Sequence, residues 1–217
     1  MQTVFTEPSA IEAESMRLIS GELVRRNVSR PEEEMQVIRR VIHATADFEF
    51  AETMVFSEGA VRKGREALAA GKSVITDTNM ALSGISRPAC LKYGIDLHCF
   101  TADPAVFEEA KAEGCTRSYA AMGYAAEHFP DAVYAIGNAP TALFRLEEEL
   151  LQTDSFFPSL IIAVPVGFVN VIEAKQQILR ACMKRGVPVI AAVGRKGGST
   201  VCAAVMNALL YGITASR

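Results

Sequence analysis

Five short apolar runs separated by helical stretches predict an α/β fold, with an open, mainly parallel sheet of about five strands wound on both faces by helices and preceded by a helical segment. The runs are apolar throughout rather than alternating, as strands buried on both faces require. The stretches between them are long enough for crossover helices, and strand–helix alternation marks a parallel sheet. With 217 residues, 50% hydrophobic and 22% charged, the chain can bury one sizeable core, so a single domain over residues 1–217 is expected.

The first third reads as helices. Ser9 and Glu12 suit a capping box, and Ile11, Ser15, Leu18, Ile19 and Leu23 continue on helical spacing. Pro31 followed by Glu32, Glu33 and Glu34 marks a strong helix start, with proline in the first turn and anions at the positive end of the dipole. Met35, Ile38, Val41 and Ile42 supply its apolar face, which puts His43 near its C-terminal part. Ser57 is expected to cap a third helix ending near Gly71. The strands follow at Ser73–Thr76, Ile95–Phe100, Ala132–Ile136, Leu160–Val164 and Val187–Val193. Pro104–Glu113, Thr141–Leu151 and Val171–Arg185 suit the crossovers.

Charge and cysteine usage narrow the function. A net charge of −3 argues against a nucleic-acid or anionic-membrane partner held by bulk charge, though not against an anion held by a local arginine cluster. No apolar run reaches the ~18 residues of a membrane helix. The stretch Met1–Pro8 lacks the basic start and apolar core of a signal peptide. Cys90, Cys99, Cys115, Cys182 and Cys202 are scattered, odd in number and without a C-x-x-C. They suit small buried hydrophobes in a reducing cytoplasm, and no spacing favours a metal site.

Ligands of open α/β sheets bind beyond the carboxyl ends of the strands. The segments there begin at Asp77, Thr101, Gly137, Pro165 and Gly194. Gly194-Arg195-Lys196-Gly197-Gly198-Ser199-Thr200 joins two cations to a Gly-Gly-Ser turn at a helix start, which suits an anion equally with a tight turn bearing solvated cations. It matches neither the Walker nor the dinucleotide fingerprint. Thr116-Arg117-Ser118 is a second basic, cap-like element. Asn138 and Thr141 suit a turn and helix start or a substrate contact. Glu173 and Lys175, two apart, read as surface charges. His98 reads as a wall residue, and His128 as a cation at a helix end.

The run from Arg39 to Asp47 is the most informative. On a helix, Arg39, Arg40, His43 and Asp47 fall three or four apart and share one face. Such a face can bind an anion and move a proton, because unperturbed histidine titrates near neutrality. It also suits a solvated, salt-bridged surface. Asp47 is expected to orient and charge-balance His43 or to cap a local turn.

Five segments in order resemble the precorrin-8X methylmutase family of cobalamin biosynthesis: Arg40–Phe48, Thr116–Ser118, Gly137–Leu143, Pro165–Val169 and Gly194–Ser199. The resemblance spans about Ile11 to Tyr211. Ala174 departs from it, standing in Glu173-Ala174-Lys175 where the family usually has serine. Thr76–Ile85 and Lys196 are more similar to the cobalt-precorrin-8 enzymes. The resemblance implies a Rossmann-like homodimer that moves a methyl group from C11 to C12 of a polycarboxylate tetrapyrrole, consuming no redox cofactor. It places the catalytic histidine on His43 and substrate contacts on Ser15 and Arg40. Thr116, Arg117, Ser118, Asn138, Thr141, Gly167, Arg195, Gly197, Gly198 and Ser199 complete the expected binding set. Two other functions would use the same loops: a non-catalytic tetrapyrrole carrier, and a nucleotide- or phosphate-binding protein resting on the Gly194 loop alone.

Overall fold

In a computed structural model that describes residues 7–213, all five expected strands form and a sixth joins them. The strands are β1 (Met54–Phe56), β2 (Val74–Thr76), β3 (Leu97–His98), β4 (Val133–Ile136), β5 (Leu160–Ala163) and β6 (Val189–Ala192). Their order is β1-β6-β5-β4-β2-β3, parallel except for β1, which runs antiparallel to β6 at the edge. The stretch Met1–Thr6, part of that searched for a signal peptide, lies outside the described residues.

The unexpected edge strand lies just before the third expected helix, which starts later than Ser57. Ser57 caps nothing; its hydroxyl accepts the Val189 N–H at 2.9 Å. A four-residue helix α3 (Phe50–Thr53) leads into β1, and α4 (Ala60–Ala69) starts only after Gly59, whose φ of +67° suits glycine. Three residues carry too little periodicity to announce a strand, and the pairing that makes it one lies far away in sequence.

Helix α1 (Pro8–Arg25) is capped by Glu7, whose carboxylate accepts the N–H groups of Ser9 and Ala10. The cap therefore precedes the expected Ser9–Glu12 box, because Pro8 takes the first turn, where its missing N–H costs nothing. Helix α2 (Glu32–Thr45) starts on the three expected glutamates. Pro31 sits at the cap position rather than inside the turn, and Ala46 ends the helix at a φ of +55°. It buries Val37, Ile38, Val41 and Ile42.

Alternate strand residues point to opposite faces, and the core divides accordingly. Val133, Ala135, Leu160 and Ile162 pack with α1, α2, α4, α5 (Asn79–Gly84), α6 (Arg87–Tyr93) and α11 (Ser199–Tyr211). Tyr134, Ile136, Ile161 and Ala163 pack with α7 (Pro104–Glu113), α8 (Arg117–His128), α9 (Pro140–Gln152) and α10 (Val171–Arg185). Among the described residues no helix is long and apolar enough to cross a membrane. Strand β2 lies between β3 and β4, so the sheet's switch point falls where β2 and β4 end.

Candidate active site

The strand ends are stitched into one rim. At the switch point Asp77 is buried, and its carboxylate accepts the N–H groups of Gly137 (2.8 Å), Asn138 (2.8 Å) and Ala139 (2.6 Å). Burial pushes this carboxyl upward while the three N–H groups pull against it. The donors after β4 are thus filled by the chain's own carboxylate. Thr78, next along, places its hydroxyl 2.9 Å from that of Ser199, the first residue of α11. Gly137 packs so closely under α11 that a Cβ there would lie 2.8 Å from the Cβ of Cys202.

The Gly194 loop closes the rim. Gly198 donates to Val164 O at 2.8 Å and Gly167 to Arg195 O at 3.3 Å. A Cβ on Gly197 would meet Val164 O at 2.2 Å, which explains a glycine at that position. Beneath the loop Lys175 is fully buried and donates to Gly194 O (3.0 Å) and Lys196 O (2.8 Å). It is not the surface charge expected, although Glu173 is exposed. No local pattern in the sequence marks the difference, because only the returning Gly194 loop supplies the carbonyls.

Burial pulls the Lys175 ammonium down to about 8 from its ordinary 10.5. Below about pH 8 both folded and unfolded chains hold this proton, and the group adds no slope. Between there and 10.5 the folded chain has released a proton that the unfolded chain keeps, so stability rises with pH. Wild type measured against Lys175→Met should gain about 3 kcal/mol over that window in urea titrations. A difference independent of pH would contradict this account of the buried ammonium.

Helix α2 crosses this rim from the side. His43, exposed in its last turn, lines a cavity of about 300 Å³ together with Arg40, Met80, Ser199, Thr200 and Asn207. It also lines a second, of about 420 Å³, with Ser15, Ile19, Glu22, Arg25 and Phe48. The helix end is latched to the Gly194 loop, since Lys196 Nζ lies 2.6 Å from the Asp47 carboxylate and 2.7 Å from that of Glu49. Asp47 therefore serves Lys196 and the Glu49 N–H (3.0 Å) rather than His43, and the lysine beside it holds its carboxyl low. Asp47 lies beyond the end of α2, because Ala46 breaks the helical face expected to reach it. Arg39 pairs with Glu32, and Arg40 with Glu12 at 2.9 Å.

One chain thus brings His43, Arg40, Ser199 and Ser15 together. Thr116, Arg117, Ser118, Asn138, Thr141, Gly167, Arg195, Gly197 and Gly198 stand outside the two cavities that His43 lines. Thr116 caps α8 by accepting the Tyr119 N–H, and its hydroxyl lies 2.7 Å from that of Thr141 at the start of α9. Arg117, Asn138 and Arg195 are exposed. His98 stacks on Phe100 and lies tilted beside Phe129 as a wall residue, with ring centroids 5.5 and 4.7 Å away. The ring of His128 lies within hydrogen-bonding distance of Tyr124 O, at 2.8 Å. Among the described residues no group of three or more His, Cys, Asp or Glu side chains is placed to hold a metal ion.

The family model for precorrin-8X methylmutase (CbiC) matches residues 10–212. The chain belongs to the precorrin-8X methylmutase family. It is accordingly an isomerase of cobalamin biosynthesis, an intramolecular methyl transferase. It is 40% identical to a cobalt-precorrin-8 methylmutase of Salmonella typhimurium, over 94% of this chain and 95% of that one. It is 41% identical to a precorrin-8X methylmutase of Pseudomonas aeruginosa, over 78% and 80%. The solved precorrin-8X methylmutase of Thermus thermophilus matches the fold with a TM-score of 0.82 at 39% identity, covering 93% of this chain and 96% of that one.

Proposed function

We propose that this methylmutase moves a methyl group from C11 to C12 of cobalt-precorrin-8 or precorrin-8X, giving cobyrinate or hydrogenobyrinate, with His43 as proton donor. The shift breaks one carbon–carbon bond and makes another within the same molecule, so nothing is oxidised or reduced. A proton lent by His43 to a ring nitrogen draws π-electron density away from the migrating carbon and returns when the shift is complete. Arg40, one turn before His43, offers a guanidinium fork to a peripheral carboxylate of the ring. Ser15 and Ser199 contribute hydroxyls on either side of the imidazole. The exposed Arg117 and Arg195, with Thr116, Ser118, Asn138, Thr141, Gly167, Gly197 and Gly198, form an outer rim for further carboxylates.

The observation that supports this reading most is the cavity shared by His43, Arg40 and Ser199, which joins the α2 face to the strand-end rim. The five free cysteines fit a reducing cytoplasm. Residues 1–217 act as one domain, and two copies pair as a homodimer. Incubating the purified protein with each substrate separately should convert its absorption spectrum, with product identity fixed by NMR. Faster turnover of the cobalt-bearing ring would place the chain with its Salmonella relative. A stable coloured complex without conversion would leave only a tetrapyrrole carrier.

A further inference from the structure

Beyond the cavity at His43 the groove between α2 and α11 continues to a second chamber. Going toward the start of α2, from His43 to Gln36, the facing residues of α11 run from Ser199 to Tyr211, so the two helices line the groove in opposite order. Seven residues of helix span roughly 10 Å. Arg40 belongs to both chambers. The far one, about 470 Å³, is lined by Arg39, Arg40, Arg65, Gln36 and Tyr211 among others, and its lining carries no carboxylate among the described residues.

Arg65 is the unusual member. Its Nη2 donates to Gln36 Oε1 at 2.7 Å, yet its Nε is buried and has no hydrogen-bond partner among the described residues. A guanidinium N–H left dry and unpaired is costly and calls for a partner. The guanidinium packs closely on Gly212, where a Cβ would fall 2.2 Å from Nη2. Arg40 lies over the Tyr211 ring, 5.4 Å from its centroid. The carboxylates that hold Arg39 and Arg40, those of Glu32 and Glu12, are 67% and 51% exposed. Exposed pairs of this kind hold weakly and exchange readily for a better-placed anion. Glu33 lines the neighbouring chamber on the other side of Arg65.

We propose that this chamber is a carboxylate subsite, in which one peripheral carboxylate of the ring seated over His43 reaches along the groove to the Arg65 fork, with Arg39 and Arg40 beside it. The assignment rests on the tetrapyrrole substrate proposed above. It adds Arg65 and Arg39 as specificity-determining residues on a part of the ligand remote from the migrating methyl group.

The test pairs equilibrium titration with cobyrinate against steady-state kinetics with cobalt-precorrin-8. Arg65→Gln should bind cobyrinate ~10–100-fold more weakly and raise KM in step, with kcat nearly unchanged, as for lost uniform binding. Arg65→Lys keeps the charge without the fork and should recover part of the loss. Arg39→Gln, at the rim, should lose less and serves if Arg65→Gln does not fold. Cobyrinate affinity equal to wild type in the folded glutamine variants overturns the subsite even where methyl migration proceeds normally, and so does a fall in kcat at constant KM. Failure of wild type to convert either ring removes the proposed chemistry instead, while the cobyrinate titrations still decide whether the arginines hold a carboxylate.

Discussion

His43→Ala is expected to lose ~10²–10⁴-fold in turnover, about 3–5 kcal/mol of barrier, while keeping its affinity for the macrocycle. The separation follows from where the imidazole stands. It is an exposed side chain on a helix whose opposite face is fixed by Val37, Ile38, Val41 and Ile42 and whose end is latched by Lys196. Removing it opens no hole in the core, so stability should stay within about 0.5 kcal/mol of wild type. Ring binding is carried by cations and hydroxyls that the substitution does not touch. Single-turnover kinetics are the measurement that separates these effects, because they isolate the chemical step from product release. An unchanged single-turnover rate would take His43 out of the mechanism and leave it a wall residue.

The second large effect is structural. Asp77→Ala should cost about 3–6 kcal/mol of stability in urea denaturation, from three backbone N–H groups, that of Gly137 buried and those of Asn138 and Ala139 partly so, each losing an anionic acceptor. Asp77→Asn should fall between wild type and alanine, since one carboxamide oxygen can still accept but the amide nitrogen confronts N–H groups that need an acceptor. Turnover should fall with stability in the alanine variant, because Gly137 packs against Ser199 and any movement of that corner shifts the start of α11. A loss under about 1 kcal/mol would mean that water replaces the carboxylate and that the corner stands without it.

The parts of the fold visible in the chain are those with local causes. Val171–Arg185 matches α10 residue for residue, because a helical apolar stripe ends at Gly186, whose φ of +74° stops it. Strands β4 and β5 announce themselves as unbroken apolar runs because both faces are covered. The edge strand β1 gives no such signal: it is three residues long, and its partner β6 lies more than a hundred residues away. The same distinction runs through the site. His43 and Arg40 share a helical face that three-residue spacing reveals. Asp77 looks like a loop residue until the end of β4 folds over it. Lys175 reads as a solvated charge until the Gly194 loop returns to cover it. Arg65 has no motif at all.

By itself, then, the sequence determined the longer helices, the buried strands, the family and the catalytic candidate, since propensity, periodicity and ordered motifs act over a few residues at a time. The tertiary structure decided which charges are buried and what they hold: Asp77 filling the switch point, Lys175 under its loop, Lys196 turned to Asp47, and Arg65 facing a chamber. The physical reason is that desolvation and hydrogen-bond partnership depend on what the rest of the chain brings to a residue, and those neighbours stand up to 149 positions away, as Lys196 and Asp47 do.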